Sequence, residues 1–191
     1  MKKKVLKEPT LVLMAGLPGV GKTTLARRLG EMSGWVVLEK DNLKDSLLED
    51  TALKEKVDEE IVGWAAYDNF FKLAEDFLLK QHLSVILDSS ALHPFILKRA
   101  KELVACSGAN FKPILCDVDE PTRQDRLRTR PSRISQSEAH RIPREAFEQF
   151  DNLPEDTLRV CTKTPLKNYE SEVLAYVTEQ EVATLNSHPA Y

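Results

Sequence analysis

A glycine-rich loop near the amino terminus carries residue types that bind phosphate. The pattern G-x-x-x-x-G-K-[ST] is matched at each fixed position by Gly16-Leu17-Pro18-Gly19-Val20-Gly21-Lys22-Thr23. Its glycines let successive backbone N–H groups point at phosphate oxygens, and the helix that follows adds its positive end. We therefore expect residues 16–24, which include Thr24, to bind a nucleoside triphosphate, with Lys22 on the β and γ phosphates and the Thr23 hydroxyl on Mg²⁺.

Two further strings indicate which class of phosphate-binding loop this is. Guanine-binding proteins carry N-K-x-D, whereas the nearest string here, Asn42-Leu43-Lys44-Asp45, has these residue types in another order. Hydrolytic ATPases end an apolar strand in Asp-Glu, and here Val85-Ile86-Leu87-Asp88 is followed by Ser89-Ser90. An Asp without that Glu favours phosphoryl transfer to a bound acceptor over hydrolysis by water.

Two carboxylates, Asp41 and Asp88, each follow a predicted strand. Ligands of open α/β sheets bind at the carboxyl edge of the strands, where the loop of residues 16–24 also opens, so both carboxylates should lie near the γ phosphate. One would accept the proton of an attacking hydroxyl, and the other would orient Mg²⁺ or the acceptor. Which of them is the base stays open at this point. The alternatives are a helix cap for Asp41 and a strand-end turn residue for Asp88.

An arginine-rich stretch follows the fourth predicted strand. Arg123, Arg126 and Arg130 share one helical face through their i, i+3, i+7 spacing. Arginine neutralises the charge of a phosphoryl group during transfer, and the prolines around the stretch favour a lid over about residues 120–150. Arg126 and Arg130 are therefore predicted to be catalytic, and Arg126 also to bind the nucleotide. The alternative is a solvated basic face. The other arginines of the stretch are Arg128, Arg133, Arg141 and Arg144.

Apolar runs and helical periodicities alternate along the chain. This alternation predicts a three-layer α/β fold of the P-loop NTPase type, with about five parallel strands, helices on both faces and the arginine-rich lid. The length of 191 residues predicts a single domain over 1–191. Strands are predicted at 10–15, 35–38, 83–87, 111–116 and 157–161, and helices at 22–32, from 41 onward, at 57–78, 94–104 and 164–177.

The composition excludes several classes of protein. Hydrophobic residues make up 42% of the chain and charged residues 30%, as in globular proteins. A net charge of −3 disfavours a general DNA binder or a membrane-surface protein, and the longest charge-free stretch, residues 9–21, is too short to span a bilayer. The 3 cysteines lack C-x-x-C spacing, which predicts free thiols in a reducing cytoplasm rather than disulfides or a zinc site. No pattern indicates an oligomeric state.

The order and spacing of these motifs resemble those of a kinase family. The chain is similar to P-loop kinases of the polynucleotide 5′-kinase type, whose wider relatives include gluconate and shikimate kinases, chloramphenicol phosphotransferase and zeta toxins. The resemblance covers about residues 10–165 and implies a kinase that uses ATP and Mg²⁺. The residues that carry it are the glycine-rich loop, Leu38-Glu39-Lys40-Asp41-Asn42-Leu43-Lys44, Val85-Ile86-Leu87-Asp88, Arg99, and Asp117-Val118 leading into Arg126 and Arg130.

The resemblance also assigns roles to single residues. It implies that Asp41 is the general base, that Lys44 helps to hold the acceptor, and that Arg126 and Arg130 clamp the ATP phosphates. It places residues 162–165 beside the adenine. The predicted acceptor-binding residues are Asp41, Lys44, Asp88 and Arg99, and the predicted metal ligands are Thr23 and Asp88.

Two departures from the family pattern bear on the acceptor. Lys44 stands where the polynucleotide kinases commonly have Arg, which would contact an acceptor phosphate through two N–H groups. Asp88-Ser89-Ser90 also departs from the usual Asp-x-Thr/Asn. Both departures weaken the case for a nucleic-acid acceptor more than the case for a kinase.

The sequence therefore predicts a cytoplasmic kinase, without a membrane partner, that transfers the γ-phosphate of Mg·ATP to a hydroxyl. A small-molecule acceptor is favoured. One alternative is a polynucleotide 5′-hydroxyl kinase. The others are an ATPase and a non-catalytic module in which ATP orders the arginine-rich stretch for a partner.

Overall fold

A parallel sheet forms the centre of the protein. The computed structural model describes residues 8–49, 58–130 and 149–179. Its five strands lie in the order β2-β3-β1-β4-β5, and every neighbouring pair is parallel. The strands are β1 (Thr10–Ala15), β2 (Val36–Glu39), β3 (Val85–Asp88), β4 (Asn110–Asp117) and β5 (Leu158–Cys161).

Six α-helices lie in the described ranges. They are α1 (Lys22–Ser33), α2 (Lys40–Glu49), α3 (Glu59–Glu75), α4 (Pro94–Ser107), α5 (Glu120–Thr129) and α6 (Glu170–Thr178). A π-helical turn, Asp76–Lys80, continues α3. None of the described helices is long and apolar enough to cross a bilayer.

The central strand β1 separates two apolar cores. Leu11 and Leu13 pack on one side with α3 and α4, and Val12 and Met14 pack on the other with α1 and α6. Alternate residues of a strand point to opposite faces, so a strand covered on both faces is apolar along most of its length, as β1 is from Leu11 to Ala15. These cores form the three layers predicted from the sequence, and that prediction is confirmed.

The sheet order puts the glycine-rich loop at a switch point. The strand β1 has β3 on one side and β4 on the other, and a crevice opens between such neighbours at the carboxyl edge. The loop between β1 and α1 lies at this edge, as do Glu39 and Asp88, which are opposite each other in the register of β2 and β3.

The sequence-based boundaries differ from the observed ones by a few residues. The strand predicted at 83–87 is β3, which begins at Val85, and the helix predicted at 57–78 is α3 with its π-helical turn. The segment around Thr164 forms a short 3₁₀ helix, Leu166–Asn168, before α6 begins at Glu170. Part of the predicted lid, with Arg133, Arg141 and Arg144, lies outside the described residues.

The contact between α1 and β2 leaves no room for a methyl group at Gly30. A Cβ at this position would lie 2.4 Å from Cγ2 of Val37, whose branched side chain has little freedom to move away. We expect Gly30→Ala to destabilise the protein by about 1–3 kcal/mol, because overpacking outweighs the gain in helix propensity. Urea unfolding measures this difference.

Gly63 in α3 provides the matched control, since a Cβ there meets nothing within 4 Å. Gly63→Ala should stabilise the protein by about 0.5–1 kcal/mol through helix propensity alone. If Gly30→Ala is as stabilising as Gly63→Ala, the close packing of α1 on β2 is wrong.

Candidate nucleotide-binding and phosphoryl-transfer site

The glycine-rich loop has a backbone that only glycine supports at two of its positions. Gly16 has φ +132°, and a Cβ there would lie 2.4 Å from the carbonyl oxygen of Cys116. Gly19 has φ +88°, and a Cβ there would lie 2.9 Å from Cγ of Leu127 in α5. The loop is thus confined between β4 and α5, in the turned conformation that aims backbone N–H groups at an anion.

Lys22 lies at the start of α1 with its ammonium turned back onto the loop. Its Nζ donates a hydrogen bond to the Leu17 carbonyl at 2.9 Å. Burial lowers the pKa of Lys22, whereas the carboxylates of Asp88 and Asp41 raise it. The charge of Arg130 lowers that pKa further. A desolvated ammonium at a helix amino terminus is suited to an anionic ligand such as a phosphate.

Asp88 ends β3 beneath the loop. Its side chain is buried and hydrogen-bonded to Thr23, the residue after Lys22. Burial raises the pKa of Asp88, and the positive charge of Lys22 opposes this rise. A carboxylate and a hydroxyl meeting here are hard oxygen donors of the kind that Mg²⁺ takes from a protein when phosphates supply other ligands. The predicted metal pair, Thr23 and Asp88, is therefore together and chemically suitable.

Within the part of the chain that the structure describes, no larger metal site accompanies this pair. The described ranges contain no group of three or more His, Cys, Asp or Glu side chains arranged to hold a metal ion. A site of one carboxylate and one hydroxyl fits Mg²⁺ better than a tightly bound structural metal, because Mg²⁺ usually keeps several water or phosphate ligands.

Asp41 lies in the first turn of α2. Its carboxylate accepts a hydrogen bond from Lys40 Nζ at 3.0 Å, and its side chain remains 39% exposed. Its charge acts on Lys22, Asp88 and Tyr67, which places the two predicted carboxylates in one site. The convergence expected at the carboxyl edge of the sheet is present.

Lys40 and Tyr67 belong to this site although the sequence analysis assigned them no role. Lys40 Nζ lies 4.9 Å from the centre of the Tyr67 ring while it holds Asp41. Burial raises the pKa of Tyr67, the charge of Asp41 raises it further, and a hydrogen bond with Ser90 opposes these effects. Lys40 directly precedes Asp41 in the sequence, so its place in the site could have been noticed there. The position of Tyr67 in α3 follows the same helical spacing as the buried residues of that helix, so the sequence does not distinguish it from them.

The structure gives the two remaining acceptor candidates, Lys44 and Arg99, partners within the protein. Lys44 is buried on α2 and donates to Glu59 of α3 at 2.7 Å. Arg99 lies on α4, donates to Glu102 at 3.2 Å and covers the ring of Phe71 at 5.8 Å. These contacts hold helices together, and they give the predicted acceptor-binding roles no direct support.

The helix α5 packs on the glycine-rich loop. Arg123 donates to the Pro18 carbonyl at 3.2 Å and to both oxygens of Glu120. Arg126 donates through Nη1 to Thr162 Oγ1 at 3.0 Å and through Nη2 to the Thr162 carbonyl at 2.7 Å. The shared face predicted for Arg123 and Arg126 is thus turned toward the loop, and Arg130 ends the helix.

Comparisons with known proteins agree with this architecture. A family model described as an AAA domain matches residues 11–153. No curated protein matches the chain significantly.

Solved structures from several organisms share the fold. A proposed kinase of Chloroflexus aurantiacus superposes with a TM-score of 0.70 at 20% identity, covering 89% of this chain and 99% of that one. A gluconokinase of Sinorhizobium meliloti gives 0.56 at 17% identity over 90% and 93% of the two chains. The APS kinase of Mycobacterium tuberculosis, in complex with AMPPNP and APS, gives 0.54 at 18% identity over 90% and 99%. At these identities the likeness establishes the fold.

The buried charge of Asp88 predicts a pH-dependent cost in stability. Because its folded-state pKa is raised above the ordinary 3.8, the folded state holds the proton more tightly, and stability falls as pH rises from that value through the raised pKa. The Asp88→Asn variant has no carboxyl group to ionise at this position, so it does not lose stability in this way. Its stability relative to the wild type should therefore increase as pH rises through this interval, as measured by urea unfolding of both proteins from pH 4.5 upward. A difference that stays constant with pH would contradict the raised pKa.

Proposed function

We propose that this chain, which belongs to the family of AAA domains, is an ATP-dependent kinase that transfers the γ-phosphate of Mg·ATP to the hydroxyl of a small molecule. The observation that carries the proposal is the convergence of Lys22, Thr23, Asp88 and Asp41 on one glycine-rich loop at the carboxyl edge of the sheet. A phosphate-binding loop beside two carboxylates in different environments suits phosphoryl transfer, because one carboxylate can act as the base while the other helps to hold the metal.

Asp41 is the general base in this proposal. Its exposed carboxylate accepts the proton of the acceptor hydroxyl while the acceptor oxygen bonds to the γ phosphorus, and the bond from that phosphorus to the β–γ bridging oxygen breaks to release ADP. Asp88 is the poorer candidate for the base because its carboxylate is buried away from an acceptor hydroxyl and is already hydrogen-bonded to Thr23. Lys40 holds the Asp41 carboxylate toward Tyr67 and the Ser90 loop, which form the adjacent wall.

The remaining groups bind the nucleotide. Backbone N–H groups of residues 16–24 and the Lys22 ammonium hold the phosphates, and Thr23 and Asp88 hold the metal. Held by Thr23 and Asp88, Mg²⁺ would supply positive charge that offsets the negative charge of the phosphates during transfer. Arg126 and Arg130 extend from α5 toward the same loop, where their guanidinium groups stabilise the transferred phosphoryl group.

The pairing of Lys44 supports a small-molecule acceptor. Its ammonium is neutralised by Glu59, so an acceptor phosphate would have to displace a carboxylate that lies at 2.7 Å. Three structural neighbours act on small molecules by their names: a sugar kinase of Janibacter, the gluconokinase and the APS kinase. The polynucleotide alternative rests on the arginine-rich stretch, of which Arg123 and Arg126 already bond within the protein.

Removing the proposed base should abolish transfer without weakening nucleotide binding. We expect Asp41→Asn to lower kcat by about 10²–10⁴-fold, because the amide cannot accept the hydroxyl proton, while ATP affinity stays within about twofold. Transfer of label from γ-³²P-ATP measures the rate, and calorimetry with the non-hydrolysable analogue AMPPNP measures the affinity.

Asp45→Asn is the matched control, since it makes the same chemical change one turn later on α2. It should retain transfer. Phosphate release that needs no acceptor and survives in Asp41→Asn would instead identify an ATPase. Nucleotide binding without any turnover would identify a binding module.

The acceptor class is tested with a panel of unlabelled hydroxyl compounds. We expect label on sugars, nucleosides or aminoglycosides, and none on 5′-hydroxyl oligonucleotides, because Lys44 is already paired. Thin-layer and gel separation of the products distinguishes the two. Labelled oligonucleotides together with unlabelled small molecules would overturn the small-molecule proposal and leave the kinase intact.

A further inference from the structure

Thr162 connects three parts of the nucleotide site. It follows β5 directly, is 3% exposed, and lies at the point where the glycine-rich loop, the end of β4 and the helix α5 meet. Its hydroxyl donates to the Val20 carbonyl of the loop at 2.6 Å. Its backbone N–H donates to the Asp117 carbonyl at the end of β4 at 2.9 Å.

The same residue fixes the guanidinium of Arg126. Arg126 donates to both oxygens of Thr162, the hydroxyl at 3.0 Å and the carbonyl at 2.7 Å. Two contacts on one residue define the plane of the guanidinium and use two of its five N–H donors. A Cβ placed on Gly21 would lie 3.6 Å from Arg126 Nη1 and 3.6 Å from Thr162 Oγ1, so both groups lie directly against the loop.

The Thr162 hydroxyl is suited to this link because it donates and accepts at once. It gives its proton to the loop carbonyl and takes a hydrogen bond from the arginine, so a shift of the loop is transmitted to the guanidinium through one oxygen atom. These contacts hold Arg126 in one rotamer before a ligand binds. A long side chain on a helix surface would otherwise lose much conformational entropy on binding.

We propose that Thr162 is a positioning residue for nucleotide binding: its hydroxyl holds Arg126 against the glycine-rich loop in the orientation that contacts the bound triphosphate. The proposal rests on the nucleotide binding of the proposed function, and it adds a residue that neither the glycine-rich pattern nor the arginine spacing contains.

The test is calorimetric binding of AMPPNP with Mg²⁺, which needs no acceptor. Thr162→Val keeps the shape of the side chain and removes every bond of the hydroxyl, including those to Val20 and Arg126. We expect about tenfold weaker binding, as for the loss of a charge-assisted hydrogen bond. Thr162→Ser restores the hydroxyl and should bring the affinity back to within about threefold of the wild type. Thr178→Val, at the end of α6, removes a surface threonine hydroxyl and should bind as the wild type does.

A double-mutant cycle separates positioning from general stability. If Thr162 acts through Arg126, Thr162→Val should cost less than about twofold further in an Arg126→Ala background, although it costs about tenfold alone. Equal costs in both backgrounds, or full affinity of Thr162→Val, would overturn the proposal. A thermal unfolding scan of each variant confirms that it is folded before titration.

The same titration separates this inference from the proposed function. A wild type that binds AMPPNP together with a Thr162→Val that binds equally well defeats the inference and leaves the kinase proposal standing. A folded wild type that binds no AMPPNP defeats both.

Discussion

The site depends on the parallel pairing of β1 with both β3 and β4. Because all five strands run in one direction, their carboxyl ends meet at one edge, and residues far apart in the sequence become neighbours there without any further folding requirement. Glu39 of β2 lies beside Asp88 of β3, and β1 is the next strand on the other side of β3. The loop after β1 therefore opens next to these carboxylates. A shift of this register by one residue would turn Asp88 to the opposite face of the sheet.

Two charged side chains are buried at the same edge of the sheet, and their burial costs free energy. Lys22 and Asp88 are both desolvated, and each is only partly compensated by the other, so burial shifts their pKa values in opposite directions. The free energy for holding them comes from the two apolar cores, in which β1 is buried on both faces. Such a site gains when a polyanion and a metal ion enter, since each new charge meets an unsatisfied partner.

Much of this arrangement could be predicted from the sequence, because the residues that form it lie in short contiguous segments. The glycine-rich pattern is contiguous, and Asp41 and Asp88 are marked by the strands they follow, so the fold follows from short segments. The resemblance placed Thr162 beside the adenine within residues 162–165, but its bonds to the loop and to Arg126 could not be found in this way, and neither could the place of Tyr67 in the site. The partner of Thr162 is 142 residues away at Val20, and Tyr67 has the same spacing as the core residues of α3.

The count of basic residues was also a poor guide to the electrostatics of the acceptor side. Lys40 holds Asp41, Lys44 holds Glu59 and Arg99 holds Glu102. Arg123 and Arg126 share a face of the arginine-rich stretch, and they bond to Glu120 and to Thr162. A nucleic-acid strand gains its affinity from several unpaired cations that replace counterions along its backbone, and each of the four cations paired with a carboxylate would first have to leave it. In the proposed reaction a small acceptor needs only one hydroxyl beside Asp41. The ion pair of Asp41 with Lys40 would help there, because it orients the carboxylate while keeping the surrounding charge near balance.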